Sequence, residues 1–67
     1  MKHTYKEIER REYTKYIFYR GLMTIAIVYD YHDSKRKAEF KSNCLLTFDE
    51  IHWIKNVVGI KSLEKGR

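Results

Sequence analysis

The segment Thr47-Phe48-Asp49-Glu50 constrains the fold more tightly than any other part of this sequence. A threonine followed three residues later by a glutamate forms a capping box, in which each side chain accepts a hydrogen bond from the other residue's backbone N–H. Leu46 and Ile51 flank the box at the positions of a hydrophobic staple. A helix is therefore predicted to begin at Phe48.

The helix is predicted to cover residues 48–58, because Gly59 follows directly and glycine is typical of a left-handed helix stop. Residues 61–67 are then expected to form a basic tail. Apolar residues at helical spacing mark the face that should be buried. This predicted stripe consists of Phe48, Ile51, Ile54 and Val58.

Strands are predicted upstream of the helix. Residues 13–19 and 22–31 are rich in aromatic and β-branched residues, which favour strands. Arg20-Gly21 lies between the two runs and is predicted to be a two-residue hairpin turn. Polar and apolar side chains alternate within residues 36–46, which predicts a third, half-buried strand.

Residues 1–12 permit an extended arm, a strand or a short helix. Thr4 and Glu7 form a second capping box, yet no turn signal separates this segment from the next strand, which favours an arm or strand. The predicted fold class is α+β, with a three- or four-stranded antiparallel sheet followed by one C-terminal helix. We expect a single domain over residues 1–67, with the sheet proper in residues 13–46.

The composition favours a small binding domain with an anionic partner. The chain has 67 residues, enough for one domain with a marginal core, and a net charge of +5. No glycine-rich phosphate loop, nucleophile elbow or zinc-ligand spacing is present, so neither enzymatic activity nor a cofactor is expected. Asp30, His32 and Asp33 favour an ordinary polar turn over a metal site.

The single cysteine, Cys44, excludes an internal disulfide framework and is expected to lie in the core. The longest apolar run is too short to span a bilayer, and the N-terminus has no apolar region typical of a signal peptide. The sequence therefore predicts a cytoplasmic protein.

A turn at Arg20-Gly21 sorts the strand residues into two faces by alternation. The face expected under the helix carries Tyr16, Phe18, Met23, Ile25, Ile27, Tyr29, Ala38 and Phe40. The other face is expected to carry Tyr13, Lys15, Ile17, Tyr19, Thr24, Ala26, Val28, Lys37 and Lys41. Interleaved rings and cations are typical of surfaces that hold single-stranded nucleic acid. The alternative is that tyrosines simply favour strands and lysines solvate the sheet.

The order of these features resembles the single-stranded-DNA-binding domain of the transcriptional coactivator positive cofactor four. The resemblance covers roughly residues 8–58 and rests on Tyr19-Arg20-Gly21, on the Ile25, Ile27 and Tyr31 pattern, and on Leu46 to Ile51 with Ile54-Lys55. It implies a curved sheet backed by one helix, in a homodimer that grips single strands or melted DNA. Its implied contacts are Tyr19, Arg20 and the Lys35-Arg36-Lys37 loop. Leu22 departs from the family pattern, because a basic residue is expected there.

The sequence thus predicts a nucleic-acid-binding domain that prefers single-stranded DNA and has a role in transcription regulation. The candidate contacts are Tyr13, Lys15, Tyr19, Arg20, Lys35, Arg36, Lys37 and Lys41. The alternative is a small interaction module of the mobile-element type, which would regulate or inhibit a larger protein through Trp53. A homodimer with its tyrosine face buried against its twin is compatible with both.

Overall fold

The computed structural model describes residues 2–33 and 38–64 of the chain. Within them the chain forms a four-stranded antiparallel sheet followed by one helix, which confirms the predicted α+β class. The strands follow one another across the sheet in chain order. The elements are β1 (His3–Glu9), β2 (Tyr13–Arg20), β3 (Met23–Tyr31), β4 (Glu39–Lys41) and α1 (Phe48–Glu64).

The N-terminal segment is a strand, one of the conformations that the sequence favoured, although a turn that the sequence did not signal separates it from β2. All seven residues of β1 pair with β2, from His3 opposite Arg20 to Glu9 opposite Thr14. The chain reverses after β1 in a short turn closed by the Arg10 N–H, which donates to the Tyr13 carbonyl at 2.8 Å. The predicted sheet is therefore extended by one strand on its N-terminal side.

The second hairpin turns at Gly21-Leu22, one residue later than predicted. Arg20 pairs directly with Met23, so Arg20 belongs to the strand. Gly21 has φ 62°, a left-handed conformation that glycine adopts without a Cβ clash. Its N–H donates to the Lys2 carbonyl at 2.8 Å, which ties the turn to the start of β1.

A β-bulge reverses the predicted faces of β3. Tyr19 pairs with Thr24, but Phe18 pairs with Ala26, which leaves Ile25 as an extra residue on β3. One extra residue inverts the alternation beyond it. The prediction is wrong in four places: Ala26 and Val28 lie under the helix, whereas Ile27 and Tyr29 lie on the opposite face.

The connection from the sheet to the helix is anchored at this bulge. The predicted strand over residues 36–46 is present only as Glu39–Lys41, and residues 34–37 lie outside the described part of the chain. The Ile25 carbonyl accepts hydrogen bonds from the Ser42 hydroxyl at 2.8 Å and from the Cys44 thiol at 3.6 Å. These bonds turn residues 42–46 out of the sheet and toward α1.

The core lies between one sheet face and α1. Its buried apolar residues are Tyr16, Phe18, Ile25, Ala26, Val28 and Ile54. Packed against it are the partly buried residues Cys44, Leu46, Trp53, Val57 and Val58. Cys44 thus contributes to the core from its edge.

The capping box forms as predicted. Thr47 N–H donates to Glu50 Oε1 at 2.9 Å, and Glu50 N–H donates to Thr47 Oγ1 at 3.1 Å. Phe48, however, is 90% exposed and does not belong to the buried stripe, because Glu50 and Ile54 face the sheet instead. The first turn is rotated so that Glu50, and not Phe48, lies against the strands.

The helix passes through Gly59 and continues to Glu64, so its predicted end at Val58 and the tail assigned to residues 61–64 are wrong. Gly59 does not have a positive φ, which a left-handed stop would require. Lys61 supports the last turn, with its Nζ 3.6 Å from Glu64 and 4.0 Å from Glu7 of β1. In residues 2–33 and 38–64, no helix combines the length and apolar character that a membrane span requires.

Candidate functional site on the open face of the sheet

Helix α1 packs on one face of the sheet, and the opposite face, which we call the open face, has no described element over it. Strand alternation and the observed register define its members. They are Thr4, Lys6, Ile8, Tyr13, Lys15, Ile17, Tyr19, Thr24, Ile27, Tyr29, Tyr31, Glu39 and Lys41. Four tyrosines and three lysines therefore share one surface with a single carboxylate.

Three of the tyrosines form a cluster at one end of the open face. The Tyr13 ring meets the Tyr29 ring edge-to-face at 5.3 Å between centroids and the Tyr31 ring at 5.7 Å. The Tyr31 hydroxyl donates to Glu39 at 2.7 Å. Edge-to-face packing is a preferred aromatic geometry, so the cluster holds its rings in fixed orientations. The carboxylate of Glu39 is engaged by the same cluster.

Two ammonium groups lie over the Tyr29 ring of this cluster. Lys15 Nζ is 5.6 Å and Lys41 Nζ is 5.4 Å from the centroid of Tyr29. Both distances fall within the range of a cation–π interaction. Lys15 of β2 and Lys41 of β4 thus place two positive charges near the same ring. Among the described residues, this is the most cationic part of the open face.

A row of four side chains, one from each strand, crosses the middle of the open face. Lys6, Ile17, Ile27 and Lys41 are paired in turn across β1 to β4. The two isoleucines are half-buried and the two lysines at the edges are exposed. This row forms an apolar floor with a cation on each side, about 14 Å wide at the usual strand spacing.

Tyr19 lies at the other end of the open face, toward the Gly21 turn. It is half-buried, with Thr4 opposite on β1 and Thr24 opposite on β3. Tyr19 lies six positions along β2 from Tyr13, a distance of about 20 Å in an extended strand. The open face is thus a track with an aromatic side chain at each end and lysines between them.

Arg20, predicted as a contact, lies on the helix side of the sheet. Its Nε and Nη2 donate to the two carboxylate oxygens of Glu50, each at 2.7 Å, and Nη2 also donates to the Leu45 carbonyl at 3.2 Å. The His3 ring nitrogen Nε2 lies 2.8 Å from the same carboxylate. Arg20 therefore joins the sheet to the helix and is not brought together with Tyr19.

Glu50 is the centre of this polar junction. Hydrogen bonds from Arg20, from the Thr47 backbone and from His3 hold the pKa of its carboxyl well below the usual range. The side chain is 5% exposed. A buried carboxylate is costly unless its oxygens are satisfied, and here both oxygens accept bonds. The junction fixes the start of α1 against β1 and β2.

Trp53, the predicted anchor for a protein partner, is partly buried and packs against the core. Its ring meets Phe18 edge-on at 5.2 Å and His3 at 5.5 Å between centroids. The sequence left open whether this side chain covers the sheet or anchors a partner. The structure shows that it covers the sheet on the side of β1.

The polar turn at the end of β3 is built on hydrogen bonds. His32 Nε2 lies 3.1 Å from the Thr14 hydroxyl, and its Nδ1 lies 3.2 Å from the Arg11 carbonyl. The described part of the chain contains no group of three or more His, Cys, Asp or Glu side chains placed to hold a metal ion. The two hydrogen bonds hold the His32 ring within the turn.

The structure thus places Tyr13, Lys15, Tyr19 and Lys41 on the open face and Arg20 on the opposite face. Lys35, Arg36 and Lys37 lie outside the described residues. Sequence reasoning missed Tyr29 and Ile27 because the bulge was not recognised, and Lys6 because β1 was undecided. No protein-family model, curated protein or solved structure matches this chain.

Proposed function

We propose that this chain binds single-stranded nucleic acid along the open face. The observation that carries the proposal is the pair of lysines over Tyr29, with their Nζ atoms 5.6 and 5.4 Å from its ring, on a surface that also presents Tyr13 and Tyr19. Single-strand-binding surfaces combine cations that follow the backbone with rings that accept bases. The open face has both in one track.

The roles divide according to position. The Nζ atoms of Lys15 and Lys41 both lie near the Tyr29 ring, so phosphates bind beside this ring. Tyr19 and Tyr13, at the two ends, are the rings on which bases stack, and Ile17 and Ile27 form the apolar floor between them. Lys6 adds a third cation at the β1 edge. Arg20 has no contact role in this proposal.

The preference for single strands follows from the tyrosines. Stacking on a side-chain ring requires an exposed base face, and a duplex conceals its base faces within the helix stack. Recognition through stacking and phosphates alone is tolerant of sequence, because every base has a π-face. We therefore expect binding that depends on strandedness more than on sequence, with single-stranded DNA as the first ligand to test.

The test is fluorescence anisotropy with a labelled single strand of about ten nucleotides and with the matching duplex. Tyr19→Ala is expected to weaken single-strand binding about 5- to 150-fold, the equivalent of roughly 1–3 kcal/mol for one stacked base. Tyr19→Phe keeps the ring and serves as the matched control, with binding close to that of the wild type. Equal affinity for the duplex, or wild-type binding by Tyr19→Ala, would contradict the proposal.

A further inference from the structure

An apolar groove lies on the helix side of the molecule, between β4 and α1, and so away from the open face. It has a volume of about 490 Å³. Phe40 and Val28 form its sheet wall, and Ile51, Ile54 and Val58 form its helix wall. Phe40 is 52% exposed, so the groove is open to solvent along the edge strand. Small-molecule sites occupy about 300–1,000 Å³ and are lined mainly by apolar side chains, so this groove has the size and the lining of a ligand site.

Lys55 is the one charged side chain among the described residues that line the groove, and it is exposed. Side chains three and four positions away on a helix are the neighbours that could pair with it. Here they are Ile51, His52, Val58 and Gly59, none of which carries a carboxylate. Lys55 also forms no ion pair with any other described residue. Its positive charge is therefore available to a ligand at the opening of the groove.

We propose that the groove binds a small amphiphilic carboxylate, with its alkyl chain between Phe40 and Ile54 and its carboxylate paired with Lys55. An apolar site with one well-placed charged group is typical of ligands that have an apolar body and one polar end. A carboxylate carries one negative charge, which one ammonium group matches. A phosphate monoester carries nearly two, and no second cation lines the described part of the groove.

The volume of the groove sets the length of the alkyl chain. A methylene group takes up about as much space as a water molecule in the liquid, roughly 30 Å³, so about sixteen methylenes would fill the groove completely. Chains of about eight to twelve carbons therefore fit and leave room for water at the opening. Because each pair of buried methylenes tightens binding about tenfold, the affinity should rise about a hundredfold from octanoate to dodecanoate.

Gly59 keeps the opening of the groove clear beside Lys55. It lines the groove one helical turn after Lys55, and it is exposed. A Cβ built on Gly59 meets no atom within 4 Å, so a larger side chain can be placed there without a clash. Such a side chain would take up space at the opening that the ligand needs, and it would leave the fold intact.

The experiment is a titration of the nitrogen-15-labelled chain with octanoate, decanoate and dodecanoate, followed through the NMR signals of the backbone amides. Nucleic acid is left out, so the result does not depend on the proposed function. The amides of Phe40, Ile54 and Gly59 should shift on binding, and the Kd read from them should fall about tenfold for every two carbons added. The amide of Tyr19, on the open face, should not shift.

Two variants separate the carboxylate from the alkyl chain. Lys55→Gln should weaken decanoate binding about fivefold, the usual upper limit for an exposed ion pair, and should leave the binding of octan-1-ol unchanged. Lys2→Gln removes the same charge from an exposed residue beside β1, at the opposite edge of the sheet, and is the matched control with wild-type affinity. Gly59→Leu should weaken the binding of every alkanoate at least tenfold with an unchanged circular dichroism spectrum.

Several results would overturn the proposal. An affinity that does not change with chain length, or wild-type affinity in Gly59→Leu, would remove the alkyl chain from the groove. Equal effects of Lys55→Gln and Lys2→Gln would remove the carboxylate from Lys55. Groove amides that shift with protein concentration alone would show that a second copy of the chain covers the groove. Shifts with phosphatidylglycerol vesicles and none with free decanoate would make the groove a membrane contact instead.

Discussion

The salt dependence of binding offers the most quantitative test of the open face. The perturbation is the double variant Lys15→Gln and Lys41→Gln, which removes the two cations over Tyr29 and keeps side chains of similar length. Each phosphate neutralised on a single strand contributes about −0.7 to the slope of log K against log salt. Two lysines that each contact one phosphate therefore make the wild-type slope steeper than that of the variant by about 1.4.

This slope difference translates into a measurable affinity ratio. Between 50 and 200 mM salt, the wild type should lose about sevenfold more affinity than the double variant, since 4 raised to the power 1.4 is about 7. The assay is anisotropy titration of one labelled single strand at four salt concentrations. Any contribution from residues 34–37 is common to both proteins and cancels in the difference.

The matched control for this experiment removes the same charge from the helix side. Lys55 and Lys61 both lie on α1, away from the open face, and their double replacement by glutamine lowers the net charge equally. For this helix variant, the slope of log K against log salt should stay within about 0.3 of the wild-type slope. A slope difference near zero in the open-face variant, or an equal change in the helix variant, would refute the assignment of phosphate contacts to Lys15 and Lys41.

Three further predictions concern the stability of the fold. Glu50→Gln should unfold at a lower urea concentration than the wild type at pH 7. Because hydrogen bonding lowers the folded-state pKa of Glu50, the stabilisation from its carboxylate is present above a pH of about 4.3 and is lost as the pH falls further. The difference in stability between variant and wild type should therefore narrow at pH 3, and a constant difference would argue against the junction with Arg20. Gly59→Ala should raise the free energy of unfolding by about 1 kcal/mol in dilute protein, because the added methyl meets open space in a helix interior; a loss of stability in urea titration would contradict this. Ile54→Ala should lower the free energy of unfolding by about 2–5 kcal/mol, because this side chain is 2% exposed. The melting temperature should fall by at least about 8 °C, and a fall of less than about 3 °C would show that Ile54 does not belong to the core.

Local signals predicted the elements well, because each rests on chemistry within a few residues. The capping box placed the start of α1 at Phe48, and the aromatic and β-branched runs placed β2 and β3 within one residue of their bounds. The helix end predicted from Gly59 is wrong because a glycine alone does not end a helix. The last turn is supported by Lys61 and by its ion pair with Glu7, a residue 54 positions earlier in the chain.

The faces of the sheet could not be predicted with the same success. Their assignment depends on the register, and the register depends on a bulge at Ile25 that no single residue marks. Beyond the bulge, Ile27 and Val28 of β3 are equally suited to either face. Tyr19 and Lys15 were assigned correctly because β2 alternates without interruption, whereas Tyr29 was placed on the wrong side.

The junction at Glu50 also bears on the order in which a chain leaving a ribosome can fold. Its carboxylate joins His3 and Arg20, which precede it by 47 and 30 residues. The hairpins can pair as soon as they emerge, but the apolar face under α1 stays uncovered until the last third of the chain is available. Folding is therefore completed only after α1 (Phe48–Glu64) has emerged, and a nascent chain halted before Glu50 exposes Tyr16, Phe18 and Val28 to any chaperone nearby.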